Sequence, residues 1–83
     1  MNKVIIKVYV PFLEEQYDVW IPINKRIHRV ISLLIKAINE LSEGNYKPTE
    51  VPLLYDKSNA KIIDNNSTVK EAKIKNGSEL ILL

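Results

Sequence analysis

Cysteine is absent from the 83 residues of this chain. That removes disulfides, thiol nucleophiles and cysteine metal sites together. Glycine is scarce: Gly44 and Gly77 are the only two. A phosphate-cradling loop has little to be built from, and no P-loop, dinucleotide fingerprint or nucleophile elbow occurs. His28 is the one histidine, flanked by Arg26 and Arg29, and reads as a solvated helix residue rather than a base or ligand. The ten carboxylates are scattered, with Glu14-Glu15 merely an adjacent pair in a loop. Metal sites draw several ligands together, so neither a catalytic site, a metal nor a cofactor is expected. No apolar run approaches the ~20 residues of a membrane span. The first seven residues carry a charge every few positions and lack a signal-peptide core. A soluble, intracellular protein is the expectation. Twelve basic against ten acidic side chains give a net charge of +2, too small to argue for nucleic acid.

What is present is alternation and one long stripe. Eighty-three residues make a single domain, 1–83. A chain of this size buries roughly 60% of its unfolded surface, which leaves no volume for a deep, enclosed pocket. Val4, Ile6, Val8 and Val10 share one face at period two, so residues 3–10 read as a strand. Residues 11–16 connect it to a second strand over 17–23, where Tyr17, Val19, Ile21 and Ile23 alternate with Asp18, Trp20 and Pro22. Pro22 cannot donate to a ladder, which puts this strand at a sheet edge.

Asn24 then suits an N-cap, and the helix spans about 25–41. Ile27, Val30, Ile31, Leu34, Ile38 and Leu41 form its apolar stripe. Ser42 to Asn45 ends it, with Gly44 free to take a left-handed conformation, and 46–52 is a loop with two prolines. Short strands follow at 53–55 and 60–63, joined by the turn Asp56-Lys57-Ser58-Asn59. Thr68 and Glu71 stand at capping-box spacing, so 69–73 is a helical turn. An Asn76-Gly77 turn leads to a last strand with Leu80 and Leu82 facing inward. Two hairpins flanking one helix imply an α+β fold with the helix on one face of the sheet.

The order of these elements resembles the β-grasp of ubiquitin over nearly the whole chain. The resemblance is best from Ser67 to Leu83. Thr68-Val69 is similar to the threonine-leucine pair of that fold's short helix, Ile74 to its buried isoleucine, and Leu80 and Leu82 to its inward leucines. Leu53-Leu54-Tyr55 is similar to its leucine-isoleucine-phenylalanine strand. This implies a five-stranded mixed sheet of order 2-1-5-3-4, with the first and last strands parallel in the middle. Among ubiquitin-like proteins the chain resembles the small bacterial YukD/EsaB type, which finish with a run like Ile74 to Leu82. That family is associated with type VII (WXG100/ESX) secretion. The resemblance implies a non-enzymatic, cytoplasmic interaction module whose partner is a protein of that machinery, with membrane contact only through the partner. No Gly-Gly tail follows Leu83, so conjugation, as in a carrier or modifier, is not expected.

Alternation that buries Val4, Ile6, Val8, Leu80 and Leu82 exposes their neighbours. By that logic, with Leu54 added from the ubiquitin comparison, Ile5, Tyr9, Trp20, Leu54, Ile81 and Leu83 form an open apolar patch on the sheet. Such patches mark protein contacts, and Trp and Tyr dominate binding hot spots. A second candidate is electrostatic. Lys25, Arg26 and Arg29 fall in the first turns of the helix, where cations oppose the dipole. A rival function follows from them: an RNA- or anionic-lipid-binding module. Lys70, Lys73 and Lys75 form a further basic stretch whose relation to the first the sequence leaves open.

Overall fold

The computed structural model describes residues 2–83. Five strands and one helix run in the order β1 (Lys3–Val10), β2 (Glu15–Pro22), α1 (Ile27–Leu41), β3 (Leu54–Asp56), β4 (Lys61–Ile62) and β5 (Glu79–Leu82). They form one sheet of order β2-β1-β5-β3-β4. β1 and β5 are parallel; the other neighbours are antiparallel. β2 is an edge strand, as Pro22 requires.

The helix covers one face. Ile27, Val30, Ile31, Leu34 and Ile38 on α1 are buried against Ile6, Val8 and Val10 of β1, Ile21 of β2, Leu54 of β3, and Leu80 and Leu82 of β5. Tyr46, Ile63, Val69 and Ile74 close the margins of this core.

Several boundaries differ from the sequence expectation, each for a local reason. The first hairpin is tighter than residues 11–16: the N–H groups of Leu13 and Glu14 bond to the Val10 and Pro11 carbonyls, at 3.0 and 3.1 Å, so β2 begins at Glu15. Asn24 does not cap the helix. Arg26 is the N-cap and makes no side-chain cap bond. The Ile27 and His28 N–H groups donate instead to the carbonyls of Ser67 and Asn65, at 2.8 and 3.1 Å. A distant segment thus satisfies donors that a capping side chain usually takes. At the other end Leu41 lies on the apolar stripe yet is 57% exposed. The loop folds back there, and Tyr46 is buried in its place, with its carbonyl accepting from Asn39 Nδ2 at 2.6 Å. The turn after β3 runs on to Ala60 (φ 53°), which shortens β4 to two residues. Asp56, 8% exposed, organises that turn: Oδ1 accepts from the Ser58 N–H at 3.0 Å and Oδ2 from Asn59 Nδ2 at 2.8 Å.

The capping box forms as its spacing implies. The Glu71 N–H donates to Thr68 Oγ1 at 3.0 Å, and the Thr68 N–H donates to Glu71 Oε1 at 2.9 Å. Lys73, with φ 58°, ends the single turn. The bonds from Thr68, backbone first, hold the Glu71 carboxyl below its ordinary value. A depressed folded-state pKa stabilises the fold above the unfolded value and loses that contribution as pH falls through the folded one. Urea titrations should show Thr68→Ala costing about 1 kcal/mol at neutral pH. The gap between wild type and Glu71→Ala should close in acid.

Candidate interaction surface

The uncovered face of the sheet can be laid out row by row from the strand register. Tyr9 pairs with Gln16 and Ile81, Ile81 with Tyr55, and Tyr55 with Ile62. This gives one nearly continuous apolar row across four strands. Beside it, Leu53 and Leu83 exchange backbone bonds of 3.1 and 2.8 Å and point the same way. Tyr9, Leu53, Ile62 and Leu83 are between 38% and 56% exposed, and Tyr55 and Ile81 are half-buried between them. Neighbouring strands stand about 4.8 Å apart, so these side chains touch along the row.

The next row is charged. Asp18 pairs with Lys7, and Lys7 with Glu79. Lys57 extends the row, its Nζ 3.6 Å from Glu79 Oε1. Beyond it lie Ile5 and Trp20, paired with each other. Trp20 is thus two steps from Tyr9 along the strands, about 13 Å away, with the charged row between.

The expected patch is therefore partly corrected. Tyr9, Ile81 and Leu83 belong together. Ile5 and Trp20 share the face but stand apart. Leu54 is not on it: it is fully buried, opposite the inward Leu82. Leu53-Leu54-Tyr55 has no alternation, so its parity is unreadable until it pairs with β5, and a one-residue shift exchanges the faces. Leu53, Tyr55 and Ile62 take the place that sequence reasoning gave to Leu54. Lys61-Ile62-Ile63 is equally mute about parity.

The basic residues also rearrange. Lys25 precedes the helix and Arg26 caps it, so of the three only Arg29 lies within its first turn. The Val69 N–H bonds to the Lys25 carbonyl at 3.2 Å and the Lys70 N–H to the Ile23 carbonyl at 3.1 Å. The two basic stretches therefore adjoin in the fold. The Arg26 guanidinium bonds to the Asn66 carbonyl, and His28 is exposed.

An open cleft of about 430 Å³ lies at the opposite end, between the β1–β2 hairpin, the 46–52 loop and the end of β5. Val10, Phe12, Tyr46, Pro52 and Leu82 line it. Burial pushes the Tyr46 phenol above its ordinary value. Among the described residues no three His, Asp or Glu side chains stand together as metal ligands.

This chain matches the ubiquitin-like domain of the type VII secretion protein EccD1 of Mycobacterium tuberculosis with a TM-score of 0.79, over the whole chain and 99% of that domain, at 13% identity. The fold is ubiquitin-like. The EccD5 ubiquitin-like domain of Mycobacterium xenopi gives the same TM-score at 19% identity, covering the whole chain and 94% of that one. A chain of the MycP5-free ESX-5 inner membrane complex matches at TM-score 0.77 and 19% identity; the whole of this chain covers 21% of it. No protein-family model and no curated protein matches the sequence.

The corrected parity has a direct test. Leu54→Ala should cost about 2–5 kcal/mol in urea denaturation, whereas Leu53→Ala, one residue away, should stay within about 0.5 kcal/mol of wild type.

Proposed function

We propose that this ubiquitin-like domain is a non-enzymatic docking module of a bacterial type VII secretion system, working on the cytoplasmic side. The observation that carries the reading is the open apolar row Tyr9, Ile81, Tyr55 and Ile62 with Leu53 and Leu83 beside it. The helix buries the other face of the sheet; among the described residues no element covers this one. A contiguous apolar patch that includes two tyrosines, Tyr9 and Tyr55, has the composition of a protein-binding hot spot. The likeness to ubiquitin-like domains of EccD proteins and to a chain of an ESX-5 complex supports a partner in that machinery. A cytoplasmic part of its membrane ATPase, or another core component, is the candidate. Apolar burial would supply affinity, while exposed charges would orient the encounter. Among the described residues no helix is long and apolar enough to cross a membrane.

Calorimetric titration of the domain into purified cytoplasmic components tests this. Ile62→Asp and Leu83→Asp, both at exposed positions, should abolish binding without lowering Tm. Wild-type affinity in both variants would defeat the proposal.

A further inference from the structure

The net charge of +2 conceals a separation of charge along the molecule. One end is assembled from the start of β1, residues 23–29 and residues 64–77. Bonds from Ile23 to Asn2, Ile27 to Ser67, Val69 to Lys25, Lys70 to Ile23 and Gly77 to Ile5 hold these segments together. Lys25, Arg26 and Arg29 come from one segment, Lys70, Lys73 and Lys75 from another, and Lys3 stands beside them. Against these seven cations are only Asp64 and Glu71, a local charge of +5. The hairpin tip, the end of the helix and the long loop carry Glu14, Glu15, Glu40, Glu43 and Glu50 against Lys36 and Lys47, a charge of −3. The molecule measures 31 × 26 × 20 Å. Its ends are separated by more than the Debye length of about 8 Å at physiological salt, so each end meets its surroundings as a distinct charge. The positive end of the helix dipole points to the basic end and adds to it.

We infer that this basic end binds the surface of an anionic lipid bilayer, with Trp20 as its interfacial anchor. Trp20 is 52% exposed and cut off from the docking row by the Asp18–Lys7–Glu79 ladder. Its strand runs straight into the basic end: Pro22 pairs with Lys3, and the Ile23 carbonyl accepts from Lys70. An indole beside lysines matches the headgroup layer, where amphipathic rings are enriched and basic residues are attracted to anionic lipid. All seven cationic residues are exposed, and none forms an ion pair among the described residues. Arg26 also bonds to the Asn66 carbonyl, but exposed charges without ion-pair partners suit a fluid array of headgroups. The helix N–H groups at Ile27 and His28 are already occupied by protein carbonyls, so the attraction is a field over a surface rather than a cradle for one phosphate. Single-stranded RNA fits less well: RNA-binding sheets stack two or three bases on aromatics, and Trp20 stands at this end without Tyr9 or Tyr55. The acidic end, repelled by the same bilayer, would orient the domain with its hairpin tip away from it.

The test is co-sedimentation of the whole domain with phosphatidylcholine vesicles and with vesicles containing about 30% phosphatidylglycerol. Trp20, the only tryptophan, serves as the fluorescent reporter. Binding should be confined to the anionic vesicles, weaken with salt and shift Trp20 emission to the blue. Replacing Lys3, Lys25 and Lys70 together by alanine should weaken it about a hundredfold, at about fivefold per charge, with an unchanged melting curve. The triple arginine variant should retain it. Trp20→Ala should weaken binding without changing its salt dependence. Failure to bind at low salt, equal binding to neutral vesicles, an unshifted Trp20 emission or full binding by the triple alanine variant would overturn the inference. Tighter binding to single-stranded RNA than to the vesicles would do so in favour of nucleic acid.

Discussion

The parallel pairing of β1 with β5 is the constraint from which the rest of this molecule follows. Lys7, Val8 and Tyr9 lie opposite Glu79, Leu80 and Ile81. That register joins strands about seventy residues apart in sequence, so it closes nearly the whole chain into one loop. It also sets the parity of every later strand. Once Leu80 and Leu82 face the helix, β3 must offer Leu54 to the core and Leu53 and Tyr55 to solvent. β4, paired with β3, then turns Ile62 outward. With the β3–β5 and β3–β4 pairings as they stand, the apolar row on the open face follows from this register. Slipping it by a residue would bury Ile81 and Tyr55 and expose Leu80 and Leu54.

The helix depends on the same closure. Its N-terminus has no capping side chain of its own and takes the carbonyls of Asn65 and Ser67. Those carbonyls are in place because the turn after β4 is tied to Ile23 and Lys25 by Lys70 and Val69. The capping box of Thr68 and Glu71 stiffens that turn. Three cations near a helix N-terminus are unfavourable in isolation, each by a few tenths of a kcal/mol. They persist here at an end that the tertiary bonds already hold.

The surfaces divide accordingly. An apolar row lies over the middle of the open face, a charge ladder bounds it, and a basic end carries the tryptophan beyond. The ladder matters for more than solubility. Its one ion pair, Lys57 with Glu79, is exposed and adds little stability. Its consequence is to split what would otherwise be one greasy sheet face into two separate apolar regions.

The element order, the buried stripe of the helix, the edge position of β2 and the capping box were all legible in the residues. Each rests on a short-range regularity: period two in Val4 to Val10, period 3.6 in Ile27 to Ile38, a missing N–H at Pro22, a three-residue spacing from Thr68 to Glu71. Half of the candidate surface was legible for the same reason, since Tyr9 and Ile81 sit in alternating strands and Leu83 directly follows one. What the sequence withheld were the relations between segments remote from one another. Leu53-Leu54-Tyr55 and Lys61-Ile62-Ile63 are apolar without alternation, so their faces were chosen by pairing with β5 and β3. Asn24 does not cap the helix, which starts at Ile27 and donates its first N–H groups to the Ser67 and Asn65 carbonyls. The two basic stretches came to adjoin only when the 64–77 segment bonded to residues 23–27. Local patterns carry the period of an element, but register, closure and shared surfaces are set by long-range contacts that no single window of sequence contains.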